Sequence, residues 1–276
     1  KSRNYGAANP VLTASYTGFV NGETLATSGI TGSPVITTAA NVSSPVGSYD
    51  INSGSGSLSS ANYDFIYSKG TMTVAKATVT VTADNKSRVY GAAPPLFPAS
   101  YNGFVNGQTF ANSGITGAPV LSTTAGVSSE VGSYPITVQQ GTLSSGNYAF
   151  SFTSGNLSVT KAMVSVKVKD TTRVYGSPNP TFTASYNGFV NGESLATSGI
   201  TGQPGFTTIA NQASNTGTYD VTPVLGGLSA KNYDFNFTKG SLTITKATLN
   251  VSADNKTRHY GSVNPTLTTS FTGFAN

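Results

Sequence analysis

The side chains of this sequence with chemistry to offer are those that come back at a fixed interval. Arg3, Arg88, Arg173 and Arg258 stand 85 residues apart, and each precedes a Tyr-Gly pair by two positions. Residues i and i+2 of an extended segment share a face, so guanidinium and phenol are expected side by side. Two tasks suit such a row. The arginine stacks on its tyrosine and caps backbone carbonyls near a domain junction, or one guanidinium per copy captures an anionic glycan. Lysines recur as well, at Lys76, Lys161 and Lys246, together with Asn62, Asn147 and Asn232. An isopeptide between Lys161 and Asn147 would need a carboxylic acid close by. The nearest candidate, Asp64, is Ala149 in the middle copy, so no such bond is expected. Tyr148, Phe150 and Phe152 place rings at period two, as a platform for sugars or as core. In a sequence without tryptophan, filling the core is the expected use.

Catalytic and metal chemistry fails the test of recurrence. His259 is the single histidine, and Asn4, Val89 and Val174 occupy its equivalent positions. Asp50 becomes Pro135 and Asp220, Asp64 becomes Ala149 and Asp234, and Glu23 becomes Gln108 and Glu193. Acid–base hydrolysis needs both members of a carboxylate pair, and a calcium site needs several clustered oxygen ligands. The middle copy keeps neither. Without cysteine, disulfides and thiolate metal sites are excluded, and with a single histidine as well, nucleophilic triads and zinc sites are unsupported. The glycines lack the GxxxxGK[ST] phosphate-binding pattern and read as turn and bulge positions. No catalytic residue, metal or cofactor is expected, and the chain reads as a non-enzyme.

Composition narrows the class further. Only 9% of residues are charged, beside 31 Gly, 14 Tyr and 14 Phe. Low charge argues against disorder, and abundant threonine, valine and aromatics favour strands. The net charge of +5 is spread over the copies without a basic block, so no nucleic-acid partner is expected. No apolar run is long enough to cross a bilayer. Absence of cysteine fits export, and because the chain starts in mid-repeat, targeting signals are expected outside this segment.

One module positions all of these residues. Tyr5-Gly6, Tyr90-Gly91, Tyr175-Gly176 and Tyr260-Gly261 keep the 85-residue step, as do Pro10, Pro95, Pro180 and Pro265. Residues 77–161 and 162–246 are complete copies; 1–76 lacks its first strand, and 247–276 is the opening third of another. A period this long exceeds that of solenoids, so each copy can hold its own core. In the second copy 77–83 alternates valine with threonine, the mark of a half-buried strand. Further strands are expected at 96–104 and 115–124, separated by the turn Asn106-Gly107, with later ones around Tyr134, Tyr148 and Leu157. Six or seven short strands predict an all-β fold of tandem small Ig-like β-sandwich domains end to end. The alternative is β-grasp-like domains with one short helix near 106–110. Between copies, residues 71–83 contain no flexible spacer and read as nearly continuous extended chain.

The segments R-V-Y-G, Y-N-G-F-V-N-G, S-G-I-T-G, V-G-S-Y, N-Y and the closing T-V-x-K-A resemble those of the MBG (mostly bacterial glycine-rich) domains and the related YDG repeats. The resemblance covers essentially the whole chain. It implies a building block of very large exported bacterial proteins, often adhesins, at an extracellular or cell-surface location, and it brings no catalytic or binding residues with it. The function expected is a structural stalk or fibre segment that gives reach and stiffness. The alternative is a repeated weak carbohydrate- or surface-binding module acting by avidity. Neighbouring repeats, or copies of the chain head to tail, are the expected partners, with cell-surface glycan under the alternative. Ala247, Thr248, Leu249, Asn250 and Val251 match the strand that 1–76 lacks. Strand complementation between copies of the chain is therefore a further expectation.

Overall fold

Alternation of small apolar residues with threonine builds the central strands. In the computed structural model, which describes residues 1–275, the segment ATVTVTA buries Ala77, Val79, Val81 and Ala83 and turns its threonines to the other face. The first copy contributes β1 (Ser2–Asn4), β2 (Val35–Thr38), β3 (Gly47–Gly54) and β4 (Gly70–Ala75). The second has β5 (Ala77–Ala83), β6 (Lys86–Val89), β7 (Ala99–Asn102), β8 (Val120–Thr123), β9 (Gly132–Gln139), β10 (Tyr148–Thr153) and β11 (Gly155–Thr160). The third repeats this series as β12 (Ala162–Val168), β13 (Thr171–Val174), β14 (Ala184–Asn187), β15 (Gly205–Thr207), β16 (Gly217–Val224), β17 (Tyr233–Thr238) and β18 (Gly240–Thr245). The opening of a fourth copy gives β19 (Asn250–Ala253) and β20 (Thr269–Thr272), an antiparallel pair.

The third copy shows how the sheets are made. β12 lies between β14, to which it is antiparallel, and β17, to which it is parallel. After two residues β12 continues into β13, and after one residue β17 continues into β18. These continuations pair in parallel within a second sheet of order β13-β18-β16-β15. The third copy is therefore one curled sheet with its first and last strands as parallel neighbours at the centre. The second copy keeps β5 between β7 and β10 in the same senses, and the four-stranded orders β1-β4-β3-β2 and β6-β11-β9-β8 match. The tandem all-β organisation is as expected. Within a copy the sheet is mixed, with a parallel pair beside antiparallel neighbours.

The curl encloses small apolar cores. In the third copy Val168, Val221, Leu242 and Ile244 are buried with Phe182 and Phe206 against them; in the first, Ile51 and Met72 fill the same place. Two strands are shorter than the sequence predicts. β7 starts directly after Pro98 and β8 directly after Pro119, where a missing N–H cannot extend the ladder. The short helix also moves. Asn106 and Gly107 take positive φ of 56° and 69° and form a tight turn, and a single 3-10 turn follows at Phe110–Asn112. Lys76 alone separates β4 from β5, which makes the passage between copies nearly continuous strand.

The chain divides into two compact units. One is Lys1–Lys86 with Pro95–Thr124 and Tyr134–Leu157; the other is Ser87–Pro94 with Ala125–Ser133 and the chain from Ser158. The first unit holds the joint between copies one and two, and the second holds the joint between copies two and three. Among the described residues no helix is long and apolar enough to cross a membrane.

Candidate functional site: the joint between successive repeats

The recurring Arg-x-Tyr-Gly segment forms one pole of each copy. Arg3, Arg88 and Arg173 are each only 7% exposed. Their guanidinium groups donate to backbone carbonyls of a loop 38 residues on, at Asn41, Gly126 and Asn211. In the first and third copies Nε adds a bond to Asn9 Oδ1 (2.7 Å) and Asn179 Oδ1 (2.9 Å). The tyrosine that follows bonds through its N–H to the last strand, at Ala75 and Thr160. Backbone carbonyls cluster where strands end, and a planar five-donor cation is suited to gather them. The arginine therefore fixes the Tyr-Gly turn against that loop. This placement leaves Arg3, Arg88 and Arg173 buried and hydrogen-bonded within their own copies. Arg258 is exposed and donates to the Ser262 carbonyl.

A second recurring set of residues forms a cup. In the first copy Tyr63 Oη donates to Glu23 Oε2 (2.5 Å) and accepts from the Val20 N–H (3.3 Å), with Phe19 edge-on to its ring at 6.0 Å. The second and third copies build the same cup from Tyr148 with Gln108, Val105 and Phe104 and from Tyr233 with Glu193, Val190 and Phe189. Tyr148 and Tyr233 are fully buried.

Pole meets cup across copies. Tyr5 packs edge-on against Tyr148 (centroids 5.6 Å, 87°), and its hydroxyl reaches Gln108 Oε1 at 3.4 Å. The Val46 N–H donates to Asn147 Oδ1 (3.0 Å), and Asn106 Nδ2 donates to the Val42 carbonyl (3.3 Å). Gly6, at φ 80°, lies so close to Val105 that a Cβ would sit 2.3 Å from its Cγ2. That glycine thus answers to the next copy as well as to its own turn.

The second joint repeats the first with stronger chemistry. Tyr90 stands edge-on to Tyr233 at 5.7 Å, Gly91 faces Val190, and the Val131 N–H donates to Asn232 Oδ1 at 3.0 Å. Here the shared acceptor is a carboxylate: Glu193 takes Tyr90 on Oε1 and Tyr233 on Oε2, both at 2.6 Å. Burial first, and the bond to Glu193 second, push the Tyr233 phenol up to about 12. The same carboxylate, then burial, raises Tyr90, with Asn191 pulling the other way. Glu130 pairs with Lys231 across this joint.

The remaining expected residues lie as follows. Lys161 Nζ is 3.2 Å from Asp234 Oδ1, while Asn147 Oδ1 is engaged by Val46, so the two isopeptide partners are occupied separately. Phe150 is half-buried and Phe152 is 37% exposed, so only Tyr148 of that stripe is fully enclosed. Asp50 and Asp220 form exposed pairs with Lys69 and Lys239, and His259 is exposed. Among the described residues no acidic, histidine or cysteine cluster could hold a metal. Ala247 is half-buried, while Thr248, Leu249, Asn250 and Val251 are exposed; Asn250 and Val251 begin β19, which pairs with β20. Sequence reasoning missed Gln108 and Glu193 as acceptors. The signal was present: both types offer an Oε at that position, which is what two phenols require.

A family model described as MBG domain (YGX type) matches residues 1–73, 79–158 and 164–243. No curated protein matches the chain.

Proposed function

The chain belongs to the MBG domain family of the YGX type, and from that premise we propose that it is a structural spacer, a stalk or fibre segment of a large secreted or cell-surface, adhesin-like protein. Domains of this family occur in surface proteins, and three tandem copies fit a structural segment. The observation that supports the reading is the joint. The recurring Tyr-Gly and Asn-Tyr pairs meet across copies, and the recurring arginine fixes the Tyr-Gly turn within its own copy. A single residue, Lys76, separates the flanking strands, and a prebuilt cup adds little ordering cost when the pole docks. Reach then comes from repetition and stiffness from the joint, with no residue assigned to catalysis. The partners under this reading are neighbouring repeats, or further copies of the chain head to tail.

Spin labels at Lys69→Cys and Gln139→Cys test it in the full chain, which has no other cysteine. A narrow distance distribution between the first and second copies is expected. A broad one, spreading over tens of ångströms, would overturn the spacer reading.

A further inference from the structure

We infer that successive joints are graded in strength, and that the residue at 108 or 193 sets the grade. Glu193 latches the second copy's pole, whereas Gln108 only rests against the first copy's. The inference builds on the reading that the joint is what holds copies together.

The geometry of the two joints differs at matched positions. Glu193 gives each phenol its own oxygen, at 2.6 Å. Gln108 offers both phenols one oxygen, with Tyr148 at 2.5 Å and Tyr5 left at 3.4 Å. An amide has a single carbonyl oxygen, and its NH2 cannot accept; a carboxylate has two acceptors and the stronger, charge-assisted bond. The inter-copy phenol is the one that loses. Flanking groups lean the same way. Glu130 and Lys231 pair across the second joint, where the first has Pro45 and Gly146. Lys161 finds Asp234, whereas Lys76 reaches only the Ser145 carbonyl. These flanking ions are exposed and individually weak, whereas Tyr90 is 4% exposed. Its bond to Glu193 therefore carries most of the difference. The partner selected is a copy presenting a free phenol on its Tyr-Gly turn, and an acidic cup takes it in preference to an amide cup.

Two backbone amides report on the joints under matched geometry: Val46 N–H on Asn147 and Val131 N–H on Asn232, both at 3.0 Å. In hydrogen exchange of the full chain, Val131 is expected to be protected about tenfold more than Val46, the difference a charge-assisted bond makes over a neutral one. Glu193→Gln should bring Val131 down to the level of Val46, and Gln108→Glu should raise Val46. Gln108 itself shows that the cup folds with an amide. Equal, high protection in the unmodified chain would overturn the grading and leave the spacer intact. Unprotected amides at both positions would sink the spacer reading itself. If high salt alone levels the two amides while Glu193→Gln leaves them unchanged, the exposed ion pairs set the difference and the role of Glu193 is wrong.

Discussion

At Arg88 a substitution between copies leaves a buried donor unmet. The Nε of Arg3 and of Arg173 bonds to Asn9 and Asn179, but the equivalent position in the second copy is Pro94, and Arg88 Nε is buried without a partner. Pro94→Asn should restore the bond. A hydrogen bond to a charged group contributes about 1.5–3 kcal/mol, while losing the proline frees the unfolded chain by about 0.4–1 kcal/mol. The bond wins. The variant is expected to gain roughly 1 kcal/mol, read as a higher denaturant midpoint at unchanged slope. Ionisation of the shared phenols belongs to the same scale. Tyr233 titrates near 12 when folded against 10.0 when free. Above pH 10 the unfolded chain therefore surrenders that proton first and holds fewer protons than the native state, so stability falls with rising pH. Its contribution is complete below pH 10 and is lost as the pH rises to about 12. Unfolding midpoints measured across that window should drop, and Tyr233→Phe should flatten the drop.

Among elements, the strands with strict alternation were legible and their partners were not. Val79 and Val81 in β5 and Ile136 and Val138 in β9 announce themselves at period two, and all four are buried. Nothing in that alternation says that β10 lies parallel to β5, with Tyr148 opposite Ala77. Parallel neighbours distant in sequence share no turn that could betray them. The bends that pass β12 into β13 and β17 into β18 were equally silent, because a one- or two-residue break between alternating segments looks like an ordinary turn. The joint was half legible. Recurrence at 85 residues marked Arg88, Tyr90, Gly91 and Asn147 as important, but recurrence is blind to which copy a contact joins. A bond inside each copy and a bond from each copy to the next leave the same periodic trace. Tyr90 bonds to Glu193, 103 residues away, and only coordinates separate that from a contact 18 residues away within one copy.

Taken as a whole, the molecule carries both halves of its joint in every complete period: a Tyr-Gly pole and an Asn-Tyr cup. Removal of residues 77–161 would place Lys76 directly before Ala162 and bring the pole of copy one to the cup of copy three. Tyr5 would then meet Tyr233 and Glu193, Gly6 would meet Val190, and the Val46 N–H would donate to Asn232. This shortened chain is expected to fold with an intact joint, and exchange at Val46 should slow to the rate that Val131 shows in the parent. Protection no better than in the parent would mean that copies recognise particular neighbours rather than any neighbour. The glycine facing Val105 or Val190 gives this arrangement a consequence at the level of the gene. Recombination that drops or duplicates a whole 85-residue period returns every pole to a cup with room for it. A breakpoint shifted out of register sets a bulkier residue against the valine side chain that the glycine now faces. Gain or loss of a whole copy is therefore expected to leave each joint intact without a compensating substitution.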